Sequence, residues 1–426
     1  MRKYVIEGGY PLKGKITVKG NKNAALPCIA AALLTDEPVT LHNVPEIADV
    51  LVMFEVIEDL GGSVTKEGAG VYRIESVINK NELSKEKMQK IRAGILFAGP
   101  MLARRNEVII PPPGGDVIGR RRLDTHFLAF EGLGAQVHID QSYHVKTNKL
   151  VGSDIFLDEA SVTATENAIM AAAMAEGTTI LRNAASEPHI QDLCNMINAM
   201  GGAISGIGSN VLTIEGKEKL HGTTFTIGSD FMEVGSFIAL AAATKSELVI
   251  EHAAPENLRM IQMAFAKLGI SWQVVGDDLH VGTPQEMRIK KDLGGAIPTI
   301  DDAPWPGFPA DLTSIMVVAA TQCEGTILIH EKMYESRMFF VDKLISMGAG
   351  IILCDPHRAV ISGPSRLSGA AQLASPDVRA GMAMIIAALA ASGTSTISNV
   401  YQIERGYENI VERLQQLGAK IKVVEE

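Results

Sequence analysis

The sequence predicts an α/β protein of two domains, each built from three copies of one supersecondary unit with buried helices. One observation dominates. Six times a helical stretch closes on Leu or Met, then a glycine and a small or apolar residue, before a strand restarts: Leu60-Gly61-Gly62, Leu133-Gly134-Ala135, Met200-Gly201-Gly202, Leu268-Gly269-Ile270, Met347-Gly348-Ala349 and Leu417-Gly418-Ala419. Their spacing of about 70 residues marks internal repeats of a single unit. A second marker recurs in step with the first, a strand and turn such as Glu37-Pro38-Val39-Thr40-Leu41, Glu176-Gly177-Thr178-Thr179-Ile180, Glu247-Leu248-Val249-Ile250 or Glu324-Gly325-Thr326-Ile327-Leu328. An Ala-rich apolar helix precedes that strand. The third observation is length: 426 residues exceed one ordinary core, and six equal units divide most simply into two domains of three.

In chain order, Met1-Arg2-Lys3-Tyr4-Val5-Ile6-Glu7-Gly8-Gly9 alternates as a strand and lacks a signal-peptide core, so no export is expected. The Ala-rich helices are expected to start near Asn21-Lys22-Asn23-Ala24, Lys90-Ile91-Arg92-Ala93, Thr163-Ala164-Thr165-Glu166-Asn167, Phe231-Met232-Glu233-Val234-Gly235, Pro309-Ala310-Asp311-Leu312 and Asp377-Val378-Arg379-Ala380. Their bodies carry almost no charge, so they should be buried on all sides. The passage from Leu212-Thr213-Ile214-Glu215 through Ile227-Gly228-Ser229-Asp230 separates the third unit from the fourth. Met382 to Ala391, the longest apolar stretch, is about half of what a bilayer-spanning helix needs. A net charge of −10 argues against a dedicated nucleic-acid or acidic-membrane binder. Cys28, Cys194, Cys323 and Cys354 form no CxxC, three of them flank apolar runs, and reduced cytoplasmic thiols are expected.

Polar residues stand at the starts of the apolar helices, where free N–H groups and the positive end of the dipole make an anion site. Asp, Thr and Asn also serve there as ordinary caps. Lys22, Arg92 and Arg379 oppose the dipole and need another reason, which a bound anion supplies. With Glu233, Asp311 and Asp377 they are expected to line a cleft. The loop Pro111-Pro112-Pro113-Gly114-Gly115-Asp116-Val117-Ile118-Gly119-Arg120-Arg121-Arg122-Leu123-Asp124 combines stiff prolines, permissive glycines and three arginines, and reads as a mobile, phosphate-seeking lid. Ile403-Glu404-Arg405-Gly406-Tyr407-Glu408 sets an arginine just ahead of the last helix. The ten histidines are scattered, no HExxH or paired CxxC occurs, and no metal site is expected.

Taken together, Lys22-Asn23, the Pro-Gly-Gly loop with Arg121, Phe-Pro-Ala-Asp at 308–311, Asp-Val-Arg-Ala at 377–380 and Arg-Gly-Tyr-Glu at 405–408 resemble the enolpyruvyl transferases over essentially the full chain. The resemblance implies two inside-out α/β barrel-like domains of three β-α-β-α-β-β repeats. It assigns residues 22–229 to one domain and 1–21 plus 230–426 to the other, with the active site in the cleft between them. It implies transfer of the enolpyruvyl group of phosphoenolpyruvate to the 3-hydroxyl of UDP-N-acetylglucosamine, the first committed step of peptidoglycan synthesis. No cofactor, nucleic acid or membrane partner is implied, and a cytoplasmic monomer is the expectation. Lys22, Arg121 and Arg405 match the phosphoenolpyruvate-binding positions, with Arg92 and Arg379 in support. Asp311 matches the base for the sugar hydroxyl, Asn23 the sugar contact, Asp377 an acid near the reacting carbons. Arg121, Arg122, Leu123, Asp124, Ser161, Val162 and Thr163 match the stretch that receives the uridine diphosphate, and Met333 and Arg337 complete the substrate-binding set.

Asp116 stands where most members carry the cysteine that fosfomycin alkylates, a residue associated with proton donation or product release. A carboxyl there can carry a proton if its surroundings raise its pKa, but it cannot do thiolate chemistry. Further departures bear on the acceptor. Glu46, Ala48 and Ala160 replace lysines, His189 stands where an acid is common, and Arg122 replaces a proline. The competing readings are transfer to another acceptor such as shikimate-3-phosphate, a non-catalytic nucleotide-sugar-binding paralogue, and RNA-end chemistry. The absence of a basic track disfavours the last.

Overall fold

The computed structural model describes residues 2–115, 119 and 122–425. Their contacts gather into two compact units, one from the residues up to 19 together with those from 229 onward, the other from the chain between 20 and 228. Each unit has its own apolar core.

Three helices fill the core of the first of these units. Phe231–Ala243 and Thr313–Thr321 are buried at every position, and Val378–Ala390 at all but its last. They pack pairwise on one another. In the other unit the same part is played by Lys22–Ala31, by Val162–Ala172, and by a 3-10 stretch Ala93–Phe97 that runs on into Ala98–Arg105. A helix without a polar stripe is stable only when protein surrounds it, and the Ala-rich composition lets the three approach closely.

An outer helix follows the strand after each inner one: Ala48–Leu60, Asp124–Gly132, Pro188–Ala199, Arg259–Lys267, Val341–Ser346 and Ile410–Gln416. All six stop at the glycine of the repeated motif. Gly61, Gly134, Gly201, Gly269, Gly348 and Gly418 have φ of 111°, 89°, 92°, 70°, 98° and 92°, a left-handed turn that a residue with a Cβ enters only at a cost. The motif is thus a helix stop written six times.

The sheets are mixed, and one pattern repeats. Thr299–Asp301 lies parallel to Gly325–His330, which pairs antiparallel with Arg358–Gly363, which in turn pairs with Ile351–Asp355. The last sheet of that unit is completed by the beginning of the chain, Arg2–Gly8, set between Gly393–Ser398 and Lys420–Glu425. Lys13–Thr17 likewise supplies the edge strand beside Glu247–Glu251, and Thr224–Thr226 returns to lie parallel to Val39–His42. Asn43, Asn183 and Asn399 end the strand after the inner helix in three of the repeats, all at φ 56°. Their amides donate to Ile227 O at 2.9 Å, Leu157 O at 2.9 Å and Ser375 O at 2.7 Å, tying each strand end to its neighbouring segment. Asparagine tolerates this backbone because its short polar side chain bonds locally.

No helix among the described residues is long and apolar enough to cross a membrane. Cys28, Cys194 and Cys323 are buried, Cys354 is exposed, and all four are free thiols.

One expectation is corrected here. Glu233 does not line an open cleft; it is buried and takes both arms of Arg413, Nη1 to Oε1 at 2.6 Å and Nη2 to Oε2 at 3.0 Å. Its Oε2 also accepts the Lys19 N–H at 2.9 Å, and Arg413 donates further to Thr17 O at 2.7 Å. The forked pair therefore locks the last helix and an inner helix onto the segment after Lys13–Thr17. Glu233→Ala leaves Arg413 buried without its partner and should cost about 3–5 kcal/mol. The check is chemical denaturation, where an unchanged midpoint would show the pair to be dispensable.

Candidate active site

The helix starts hold three groups of the expected site residues. In the unit of residues 20–228, Asn21 caps the first inner helix, accepting from the N–H of Asn23 at 2.8 Å and of Ala24 at 3.3 Å. With the cap supplied, Lys22 is free to turn its ammonium to the buried Asp49, at 2.7 Å between Nζ and Oδ2. Asp49 sits in the first turn of Ala48–Leu60, where the dipole favours a carboxylate. Lys22 is only 12% exposed, so this pairing fixes a nearly desolvated cation beside Asn23.

The second group surrounds the start of Val162–Ala172. Arg92, at the beginning of the 3-10 stretch, donates from Nη2 to Arg122 O at 3.3 Å. Arg122 faces Asp124 at 3.2 Å and Asp158 at 3.7 Å, and Thr125 Oγ1 donates to Asp158 at 2.7 Å. Leu123, between them in the chain, is buried. Ser161 makes no side-chain capping bond, so the first N–H groups of the helix are not taken by it. Thr163 meets the buried ring of His126, whose far nitrogen meets Asn167. Burial, with Arg92 adding to it, holds the His126 imidazole down to about 3, and the ring is neutral near pH 7.

The loop leading to this cluster shows why its glycines are needed. A Cβ on Gly114 would lie 1.9 Å from Gln89 O, and Gly115 turns at φ 106° against Arg92. Asp116 and Arg121, the expected proton carrier and phosphoenolpyruvate-binding arginine, lie outside the described residues, as does the middle of the expected lid over 111–122.

The third group belongs to the other unit. Asp311 is held between two buried guanidiniums: Arg337 Nη2 donates to Oδ1 at 3.0 Å and Arg379 Nε to Oδ2 at 3.4 Å. Arg337 also donates to Ala310 O, while Arg379 lies 3.6 Å from Asp230 and 5.1 Å above the ring of Tyr407. Tyr407 is fixed in turn by the Ser236 hydroxyl at 2.8 Å. Arg379 Nη1 is buried with no hydrogen-bond partner among the described residues, so that guanidinium keeps a donor unspent, while Arg337 Nε faces the buried Glu331 carboxylate at 4.0 Å. Asp377 Oδ1 caps its own helix, accepting from Arg379 N and Ala380 N at 2.9 Å, so one of its oxygens does the work of a cap. Buried Arg405 donates to Gln402 Oε1 at 2.7 Å, and its neighbour Gly406 abuts Val378, which packs this turn against the helix carrying Arg379. Met333 is exposed, and its N–H donates to Asp302 at 3.3 Å. Nearby in the chain, Glu331 is wholly buried; burial raises its carboxyl and Arg337 opposes the rise.

Asp49, Asp158 and His126 were not singled out in the sequence. Tyr407, within Arg-Gly-Tyr-Glu, and Asn167, within the start of an Ala-rich helix, stood in quoted stretches but were given no role. Of the departures, Glu46 pairs with Lys66 at 2.6 Å, which holds its carboxyl below the usual range, and His189 is buried.

In each unit, buried inner helices carry cations and carboxylates at their starts, an arrangement suited to binding anions. A family model described as EPSP synthase (3-phosphoshikimate 1-carboxyvinyltransferase) matches residues 6–414, and the chain belongs to that family. It is 62% identical over 426 residues, all of both chains, to the UDP-N-acetylglucosamine 1-carboxyvinyltransferase of Treponema denticola. It is 58% identical to the same-named protein of Bradyrhizobium diazoefficiens, covering 99% of this chain and 98% of that one. Among solved structures, the enolpyruvyl transferase NikO from Streptomyces tendae has a similar fold, with TM-score 0.88, 22% identity and 99% of each chain covered. EPSP synthase from Acinetobacter baumannii gives TM-score 0.75 at 18% identity over all of both chains.

The neutral His126 has a consequence for acid stability. An unfolded histidine titrates near 6.5 and this one near 3, so below about 6.5 the unfolded state binds the extra proton and the native state loses stability. The loss should run at about 1.4 kcal/mol per pH unit between those values. Unfolding free energies at pH 7 and pH 5 should differ more for the wild type than for His126→Gln, and equal differences would refute a buried neutral ring.

Proposed function

We propose that this protein transfers the enolpyruvyl group of phosphoenolpyruvate to the 3-hydroxyl of UDP-N-acetylglucosamine, releasing phosphate in the first committed step of peptidoglycan synthesis. The full-length identity to relatives of that name supports the acceptor. The single observation that carries the chemistry is Asp311 held by two buried arginines, of which Arg379 keeps a spare donor. In the reaction, the sugar hydroxyl loses its proton as its oxygen bonds to C2 of phosphoenolpyruvate, and C3 gains a proton. The tetrahedral intermediate then loses phosphate as the proton on C3 is removed, restoring the double bond.

Asp311 receives the hydroxyl proton in this proposal. Lys22, Arg121 and Arg405 neutralise phosphoenolpyruvate, Arg92 and Arg379 support them, and Asp116 delivers the proton to C3 with Asp377 near the same carbons. Asn23, Met333 and Arg337 contact the sugar side, and Arg122, Leu123, Asp124, Ser161, Val162 and Thr163 the uridine diphosphate. The enzyme acts in the cytoplasm in this proposal. Glu46 is satisfied by Lys66, which supports a local exchange of charge rather than a changed acceptor.

The deciding assay is phosphate release with phosphoenolpyruvate and UDP-N-acetylglucosamine, run beside shikimate-3-phosphate; turnover of the latter alone overturns the acceptor. Lys22→Ala and Arg405→Ala should fold and lose turnover by on the order of 10². Wild-type turnover in either would remove that residue from the site.

Fosfomycin tests Asp116. A carboxylate opens the epoxide far less readily than a thiolate, so the wild type should keep its activity in the drug while Asp116→Cys becomes covalently labelled. Labelling and inactivation of the wild type would contradict this role.

A further inference from the structure

Thr163 occupies the second position of the helix Val162–Ala172, and its hydroxyl ends a chain of hydrogen bonds whose direction is fixed from the opposite end. The chain begins at Gly99. Its N–H can only donate, and it meets Asn167 Oδ1 at 2.7 Å. That assigns the amide, whose Nδ2 donates to Ile95 O at 3.0 Å, a carbonyl that can only accept. The same Nδ2 lies 2.9 Å from His126 Nδ1, which must therefore be the unprotonated ring nitrogen. The ring proton is left on Nε2, which donates to Thr163 Oγ1 at 3.1 Å. A neutral ring fits the burial of His126, which resists a second proton.

Because Oγ1 accepts from His126, the threonine's own O–H must point elsewhere, and no acceptor for it occurs among the described residues. Asn167 and His126 are buried while Thr163 is partly exposed, so the chain runs from the core to solvent. Packing alone does not account for it. The bonds of Asn167 to Gly99 and Ile95 already join the two inner helices, and the further link through His126 to a partly exposed hydroxyl adds little to that contact.

We propose that Asn167 and His126 are positioning residues that keep the Thr163 hydroxyl proton for donation to an anionic oxygen of the acceptor's diphosphate. This rests on the nucleotide-sugar reading above. An anionic oxygen can only accept, and a hydroxyl that already accepts from His126 Nε2 cannot turn its proton to the ring, so the proton is kept for another acceptor. The helix start, which no side chain caps, acts in the same sense.

The test combines a kinetic and a spectroscopic readout on the full chain. Thr163→Val should raise the KM for UDP-N-acetylglucosamine about tenfold, the scale of one bond to a charged group, while the KM for phosphoenolpyruvate stays within about twofold. Thr163→Ser should restore most of the loss. His126→Gln, whose amide nitrogen can stand in for Nε2, should lose less than His126→Leu. In the free protein, ring ¹H–¹⁵N correlations of His126 should show the Nε2–H tautomer. A Thr163→Val enzyme with the wild-type KM for the nucleotide sugar overturns the donor role, and an Nδ1–H ring overturns the relay. A wild type that does not consume UDP-N-acetylglucosamine defeats the functional reading instead, and the tautomer still decides whether the relay exists.

Discussion

Everything in this molecule follows from the need to bury helices that have no polar side. Phe231–Ala243 and Thr313–Thr321 offer water nothing at any position, so sheets and outer helices must enclose them. The enclosure leaves one kind of place where polar chemistry can be installed, the helix start. There the N–H groups lack partners of their own, and charged side chains can stand at the edge of the core. The sequence obeys this division closely. Lys22, Arg92, Thr163, Asp311 and Arg379 all lie within two residues of where an inner helix or its 3-10 lead-in begins.

The helix starts are not equivalent, and the differences suit different work. Asn21, Asp230 and Asp377 cap their helices with their own side chains, which satisfies the N–H groups locally. At those starts the useful groups are neighbouring side chains: the ammonium of Lys22 turned to Asp49, and the guanidinium of Arg379 set against Asp230 and Asp311. At Val162–Ala172 no side chain caps the helix, and the backbone itself remains available beside Thr163. Point charges and forked cations suit the carboxylate and phosphate of a small substrate, while backbone and hydroxyl donors suit an extended diphosphate.

The sixfold repeat was legible because its marker is a backbone requirement. Gly61, Gly134, Gly201, Gly269, Gly348 and Gly418 each stop a helix at positive φ, a demand that the residue type alone discloses. The buried helices were legible for a similar reason, since a helical run with no charged face is stable only when protein covers it on every side. Short edge strands such as Thr299–Asp301 and Thr224–Thr226 left no such mark, because three residues hold too little pattern and their pairing is decided by distant chain. Within the site, the residues at helix starts could be named, but their partners could not. Asp49 for Lys22 and Arg413 for Glu233 are tertiary choices, and the second of these turned an expected cleft residue into a structural one.

Buried polar groups in such a core are costly unless every bond is made, which sharpens the meaning of those that stay incompletely paired. Glu233 and Arg413 satisfy each other with two bonds and recruit backbone for the rest, the pattern of a structural lock. Arg337 and Arg379 are as deeply buried and each grips Asp311 with one nitrogen; Arg337 turns Nε to Glu331, while Arg379 leaves Nη1 without a hydrogen-bond partner among the described residues. For stability alone, a buried ion of this kind could give way to an apolar side chain at little loss. A guanidinium that is held rigidly with a donor to spare is instead suited to charge that arrives with a substrate, because its orientation is already fixed when that charge appears.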